Sequence, residues 1–152
     1  MSGIPDATET ADRTLKIFRD FDAPRADVYR AFAEMDRYAQ WMGPEGVRVI
    51  ECNSDLRVGG AYRTVFRSAE GKTHIVAGRF REVVPDERLV FTWAWEQGGD
   101  SGPETIVTIE FIDRAGGTRV RLTQAVFDTL ETRDHHAAGW EGSLDRLEAY
   151  LA

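Results

Sequence analysis

The 152-residue sequence has only one cysteine, Cys52, so no disulfide can form within the chain. It has no apolar run near eighteen residues and no signal-peptide pattern, so we expect neither a membrane-spanning helix nor export. Positive charge is also scarce: 19 Lys and Arg stand against 26 Asp and Glu, a net charge of -7, which argues against an electrostatic nucleic-acid binder. These absences predict a cytoplasmic protein without a nucleic-acid partner.

Recognisable catalytic and metal-binding motifs are missing as well. Gly59 and Gly60 are followed by neither a helix nor the Lys-Ser or Lys-Thr pair of a phosphate-binding loop. His135 and His136 are adjacent, so on a helix they point about 100° apart and cannot serve one metal as an i, i+4 pair would. His74 lies far away in sequence. We therefore predict no catalytic residue, no metal and no cofactor.

The longest helical pattern covers residues 134–152, where apolar residues recur at steps of three and four. The residues of this stripe are Ala137, Trp140, Leu144, Leu147 and Leu151. Gly139 and Gly142 interrupt the first half, although each glycine costs about 1 kcal/mol relative to alanine inside a helix. Small residues beside Trp140 indicate either close contact with the sheet or space left open for a ligand.

Upstream, the chain reads as one domain over residues 13–152 behind a disordered tail, residues 1–12. Alternation in RTLKIFRDFD predicts a first strand. Pro24 then suits the first turn of a helix over residues 25–35, and Asp36 is expected to cap a second short helix.

From Gly46 onward the apolar period changes to two, which predicts successive strands joined by short turns. The predicted strand sequences are GVRVIECNSD, AYRTVFRS, THIVAGRFREVV, RLVFTWAW, TIVTIEFI and TRVRLTQAVF, with QGGDSGP as the clearest loop. Strands in this order favour one antiparallel sheet with one face on the core. The predicted fold is therefore α+β, a curved antiparallel sheet of about six to seven strands around a long C-terminal helix.

Residues of the same parity identify the inner face of this sheet. We assign to it Phe91, Trp93, Trp95, Val107, Ile109, Phe111, Val120, Leu122, Gln124, Val76, Gly78, Phe80 and Glu82. Arg79 and Arg81 then point outward. The inward positions of Glu82 and Gln124 cost free energy unless these groups are paired or wet, so a half-wet interior is expected.

This order of elements resembles the helix-grip fold of the START and Bet v allergen superfamily. More narrowly, it resembles bacterial stand-alone proteins related to the activator of heat-shock-protein-90 ATPase. The resemblance covers about residues 14–151 and is carried by RDFDAPRADVYRAFAEMDRYAQWMGP, DLRVGGAYR, GRFREVVPDERLVFTW, and GW followed by LDRLEAYL. It implies a cavity between the sheet and the last helix, used in the superfamily for lipids, polyketides or other apolar molecules, and it supplies no catalytic motif.

Three functions follow as hypotheses. The first is binding of a small apolar or aromatic molecule by seven predicted ligand-binding residues: Trp93, Trp95, Trp140, Phe80, Tyr62, Glu82 and Gln124. The second is a cyclase or hydrolase in which Glu82 or His135 acts as the acid-base group. The third, a module that contacts a chaperone ATPase, is implied only by the resemblance, and we do not expect it. The sequence leaves a homodimer open.

Overall fold

The computed structural model describes residues 12–96 and 104–152. The predicted tail and the QGGDSGP loop therefore lie outside the described residues, apart from Asp12. The elements are β1 (Leu15–Phe21), α1 (Arg25–Ala33), α2 (Met35–Trp41), β2 (Val47–Ser54), β3 (Ala61–Ser68), β4 (Thr73–Val84), β5 (Arg88–Trp95), β6 (Thr105–Arg114), β7 (Gly117–Ala125) and α3 (Leu130–Leu151). The predicted α+β architecture is confirmed.

The seven strands form one curled sheet in the order β1-β7-β6-β5-β4-β3-β2, and every neighbouring pair is antiparallel. Strands β2 to β7 lie side by side in the order of the sequence, whereas β1 adds to the sheet beside β7. Ile17 of β1 faces Leu122 of β7, which in turn faces Ile109 of β6. This register aligns the apolar residues of β1, β7 and β6 on the same face of the sheet, where they form part of the core.

The helices cover that inner face. Val28 and Phe32 of α1 are buried, and so is Trp41 of α2, whose indole nitrogen donates to the Ala31 carbonyl at 3.0 Å. The prediction that Asp36 caps α2 is wrong, because the helix begins two residues earlier, at Met35, and Glu34 occupies the N-cap position. Asp36 instead lies in the first turn, where a carboxylate still interacts favourably with the helix dipole.

The long helix α3 begins four residues before the predicted start, because Thr129 caps it. The Thr129 hydroxyl oxygen accepts a hydrogen bond from the Thr132 backbone N–H at 3.0 Å. The predicted stripe is confirmed: Trp140, Leu144 and Leu147 are buried. No helix in the described part of the chain is long and apolar enough to cross a membrane.

The inner face also follows the prediction, except at Glu82. A bulge at Arg81 shifts the pairing of β4 with β5, so that Phe80 faces Phe91 while Glu82 faces Val90. An extra residue reverses the alternation of a strand beyond it. Glu82 is consequently exposed on the outer face, where its carboxylate pairs with Arg88 at 3.1 Å. The prediction that Glu82 points inward is wrong.

Candidate functional site

An apolar cavity of about 300 Å³ lies beside the first half of α3. Its other walls are the inner face of β3 to β5 and the segment of residues 42–47, which leads from α2 into the first residue of β2 and which we call the strap. The apolar side chains that line this outer cavity are Met42, Pro44, Val47, Phe66, Trp93, Trp95 and Trp140. The cavity is therefore a space between helix and sheet, as the fold resemblance implied.

Three predicted ligand-binding tryptophans come together in this outer cavity. The ring of Trp93 lies between the other two, with centroid distances of 5.6 Å to Trp95 and 5.4 Å to Trp140. Trp93 and Trp95 project from the same face of β5, since they are two residues apart, and Trp140 meets them from the helix. The cluster presents aromatic surface to the cavity, which suits contact with an apolar or aromatic molecule.

Gln124 is buried and fixes one wall of the site from within the sheet. Its carbonyl oxygen accepts from the Trp140 indole N–H at 2.8 Å, and its amide donates to the Thr105 hydroxyl at 2.8 Å. Gln124 therefore points inward, as predicted, and both its polar ends are paired within the protein. Its role in this arrangement is to hold the Trp140 ring in place.

His136 is joined to the tryptophan cluster by a hydrogen bond. Its Nε2 lies 3.1 Å from the Trp95 indole nitrogen, which can only donate, so Nε2 accepts. Its Nδ1 lies 2.9 Å from the Thr132 carbonyl oxygen, which can only accept, so Nδ1 carries the proton. Acceptance at Nε2 requires the neutral ring, and burial lowers the pKa of His136 below its usual value. The site thus holds a neutral imidazole.

The three histidines of the sequence all line the outer cavity. His74 comes from the start of β4 and His135 from α3, and both are exposed, so they mark the rim. No sequence pattern predicts that His74 lines the cavity, because its proximity to Trp95, at a ring-centroid distance of 6.5 Å, arises from strand pairing. Within the described ranges, no group of three or more His, Cys, Asp or Glu could hold a metal ion.

Tyr62 and Phe80, also predicted to bind ligand, lie elsewhere. They line an inner cavity of about 40 Å³, and the Trp93 and Trp140 rings line both cavities. Burial raises the pKa of Tyr62, whose hydroxyl donates to the Thr92 carbonyl. The volume of the inner cavity is close to the roughly 30 Å³ that one water molecule occupies in liquid water. Tyr62 and Phe80 therefore belong to the core beneath the site.

The two glycines of α3 have different surroundings. A Cβ on Gly139 would have no neighbour within 4 Å, and this residue lines the outer cavity. A Cβ on Gly142 would lie 2.9 Å from the Pro44 Cβ, so Gly142 allows the strap to touch the helix. The sequence allowed two interpretations of these glycines, open space or close contact with the sheet. Open space is found at Gly139. Close contact is found at Gly142, but with the strap instead of the sheet.

Polar side chains of α3 fasten the strap that walls the cavity. Ser143 Oγ accepts from the Gly43 backbone N–H at 3.1 Å. The Arg146 guanidinium donates to the carbonyl oxygens of Gly43 and Val47, each at 2.8 Å. These hydrogen bonds connect residues about a hundred positions apart, and no local sequence pattern predicts them.

Comparison with known proteins gives a consistent result. A family model described as Activator of Hsp90 ATPase homolog 1-like protein matches residues 22–152. No curated protein sequence matches the chain significantly.

Solved structures extend this similarity. Protein CV1439 from Chromobacterium violaceum is 31% identical, with a TM-score of 0.81 over 91% of this chain and 96% of that one. The AHSA1 protein SPO3351 from Silicibacter pomeroyi is 28% identical, with a TM-score of 0.79 over 91% and 96% of the two chains. Protein Ms6760 from Mycobacterium smegmatis, at 19% identity and a TM-score of 0.81 over 94% and 93%, shares the fold.

Proposed function

This chain belongs to the family of Activator of Hsp90 ATPase homolog 1-like proteins, and we propose that it binds a small aromatic or otherwise apolar molecule in the outer cavity. The observation that carries the proposal is the apolar space of about 300 Å³ between Trp93, Trp95 and Trp140. Ligand sites in proteins are typically concave and mostly apolar, with a few polar groups. A space of this size beside aromatic rings therefore supports a binding role.

The size of the cavity narrows the range of ligands. Its volume of about 300 Å³ is at the lower end of typical ligand sites, which are roughly 300–1,000 Å³. A cavity of about 150 Å³ is enough for benzene in a protein core. The outer cavity therefore fits a molecule of about two fused rings better than a lipid with long chains or a large polyketide.

The proposal is tested by titrating the protein with 2-methylnaphthalene and following intrinsic tryptophan fluorescence, with calorimetry as the second measurement. We expect a Kd of about 100 μM or tighter, because eleven apolar atoms are buried against aromatic rings. Gly139→Phe should abolish binding, because the phenylalanine ring would fill the cavity. Gly139→Ala is the matched control and should bind the probe normally. Absence of binding to the unmodified protein contradicts the proposal.

The enzymatic alternative loses its main candidate group. Glu82 lies on the outer face, exposed and paired with Arg88, so it cannot act on a molecule in the outer cavity. The other candidate, His135, lies exposed at the rim of the outer cavity, and its neighbour His136 is committed to Trp95 and Thr132 through its two ring nitrogens. The geometry therefore favours binding over catalysis built on Glu82 or His136.

A further inference from the structure

The exposed polar side chains of the outer cavity lie at its rim. Among the described residues that line the cavity, none is Asp, Glu, Lys or Arg, and the ionisable side chains are the three histidines. His136 is committed to internal hydrogen bonds. His74 and His135 remain, one from the sheet and one from the helix, both exposed at the rim.

Two carboxylates interact with these histidines, and the rest of the lining is uncharged. Glu70, in the turn before β4, interacts electrostatically with His74, and Asp128, ahead of α3, interacts with His136. From β5 and the strap, the described lining side chains are uncharged: Trp93, Trp95, Met42, Pro44 and Val47. Imidazole is the one side chain whose charge ordinarily changes between pH 5 and 8. The rim is therefore where this cavity can carry positive charge, while its wall stays apolar.

We propose that the molecule bound in the outer cavity is an aromatic carboxylic acid, with its rings among the tryptophans and its carboxylate at the rim beside His74 and His135. The inference rests on the proposed function. An apolar cavity whose exposed imidazoles lie at its opening matches a ligand that is apolar at one end and anionic at the other. Burial of the rings then determines whether the molecule binds, and the histidines determine which end remains outside.

The test compares two probes of nearly the same shape, 2-naphthoate and 2-methylnaphthalene, at pH 8 and pH 6. A carboxylic acid with a pKa near 4 stays ionised over this range. His136 stays neutral longer than an ordinary histidine, because burial lowers its pKa, so the Trp95 contact is kept. We expect 2-naphthoate to bind about fivefold more tightly at pH 6, because one exposed pair of opposite charges about 4 Å apart changes the affinity by roughly this factor. The affinity for 2-methylnaphthalene should not change.

Substitutions of His74, His135 and Arg30 distinguish a contribution of the two rim histidines from a general effect of the protein's charge. His74→Gln and His135→Gln should each reduce the pH dependence for 2-naphthoate, and the double variant should remove it, without affecting 2-methylnaphthalene. Both positions are exposed, so circular dichroism should show an unchanged fold. Arg30→Gln, which removes a positive charge from exposed Arg30 on α1, is the control and should leave the pH dependence intact.

The outcomes distinguish the two proposals. If both probes bind, but equally at pH 6 and pH 8 or with a pH dependence that survives in the double histidine variant, the carboxylic-acid inference is wrong and the proposed function stands. If neither probe binds, the proposed function fails and this inference fails with it.

Discussion

The two halves of α3 contact the rest of the protein in different ways. In the second half, Leu144 and Leu147 are fully buried in the core. In the first half, Gly139 and two histidines face a cavity, and Trp140 is held by a hydrogen bond to Gln124. One amphipathic stripe therefore contributes both to the core and to the cavity in which we propose that a ligand binds. The halves differ because Gly139 leaves open space, whereas Leu144 and Leu147 fill the core.

The largest expected effect lies in the second half. Leu147→Ala should lower the free energy of unfolding by about 2–5 kcal/mol, because it opens a void at a position with 0% exposure. Urea unfolding measures this loss. Saturating 2-methylnaphthalene should raise the stability of the variant and of the unmodified protein equally, since the new void is separate from the outer cavity. A Leu147→Ala variant that is nearly as stable as the original chain would mean that this half is not solid core.

The next largest effect is expected from loss of the hydrogen bond between Gln124 and Trp140, in the first half of α3. Gln124→Leu leaves the Trp140 indole N–H and the Thr105 hydroxyl without their buried partner. We expect a loss of about 1–3 kcal/mol in thermal or urea unfolding, together with weaker binding of 2-methylnaphthalene as Trp140 loses its fixed position. Unchanged stability and unchanged affinity would show that Gln124 does not position the wall.

The two glycines provide a matched pair within one helix. Gly139→Ala should stabilise the protein by up to about 1 kcal/mol, since its Cβ meets open space and alanine favours the helix. Gly142→Ala should instead destabilise by about 1 kcal/mol, because its Cβ would collide with Pro44 in a strap that Arg146 and Ser143 hold in place. Thermal unfolding of both variants checks the opposite signs. The same sign for both would contradict the assigned surroundings.

Acidification should produce the smallest effect, confined to the first half. His136 is neutral in the fold with a lowered pKa, whereas the unfolded chain takes up its proton near pH 6.5. Its contribution to stability is therefore complete above about pH 6.5 and is lost progressively as pH falls towards the lowered value. Urea unfolding from pH 8 to pH 5.5 measures this change. His136→Gln should show a shallower decline, while Leu147→Ala should keep the original pH slope.

Much of the fold could be predicted from local patterns. The bounds of β3, β4 and β5 match the predicted segments, since alternation and short turns are encoded within a few residues. Glu82 was misplaced because the bulge at Arg81 depends on how β4 pairs with β5, and one extra residue reverses a face.

The site was less predictable than the fold. Trp93, Trp95 and Trp140 could be assigned to one space because the sheet parity and the helix stripe both point inward. His74 and the strap could not, because strand pairing and long-range contacts of Ser143 and Arg146 bring them to the cavity. The cytoplasmic location and a homodimer stay predictions.

The most direct measurement of the central claim is a set of intermolecular nuclear Overhauser effects between bound 2-methylnaphthalene and the protein. We predict contacts from the probe to the Trp95 and Trp140 rings and to the Gly139 α-protons. The methyl groups of Leu144 and Leu147 should show none. Contacts to those leucines, or to the outer face of the sheet alone, would contradict the assignment of binding to the first half of α3.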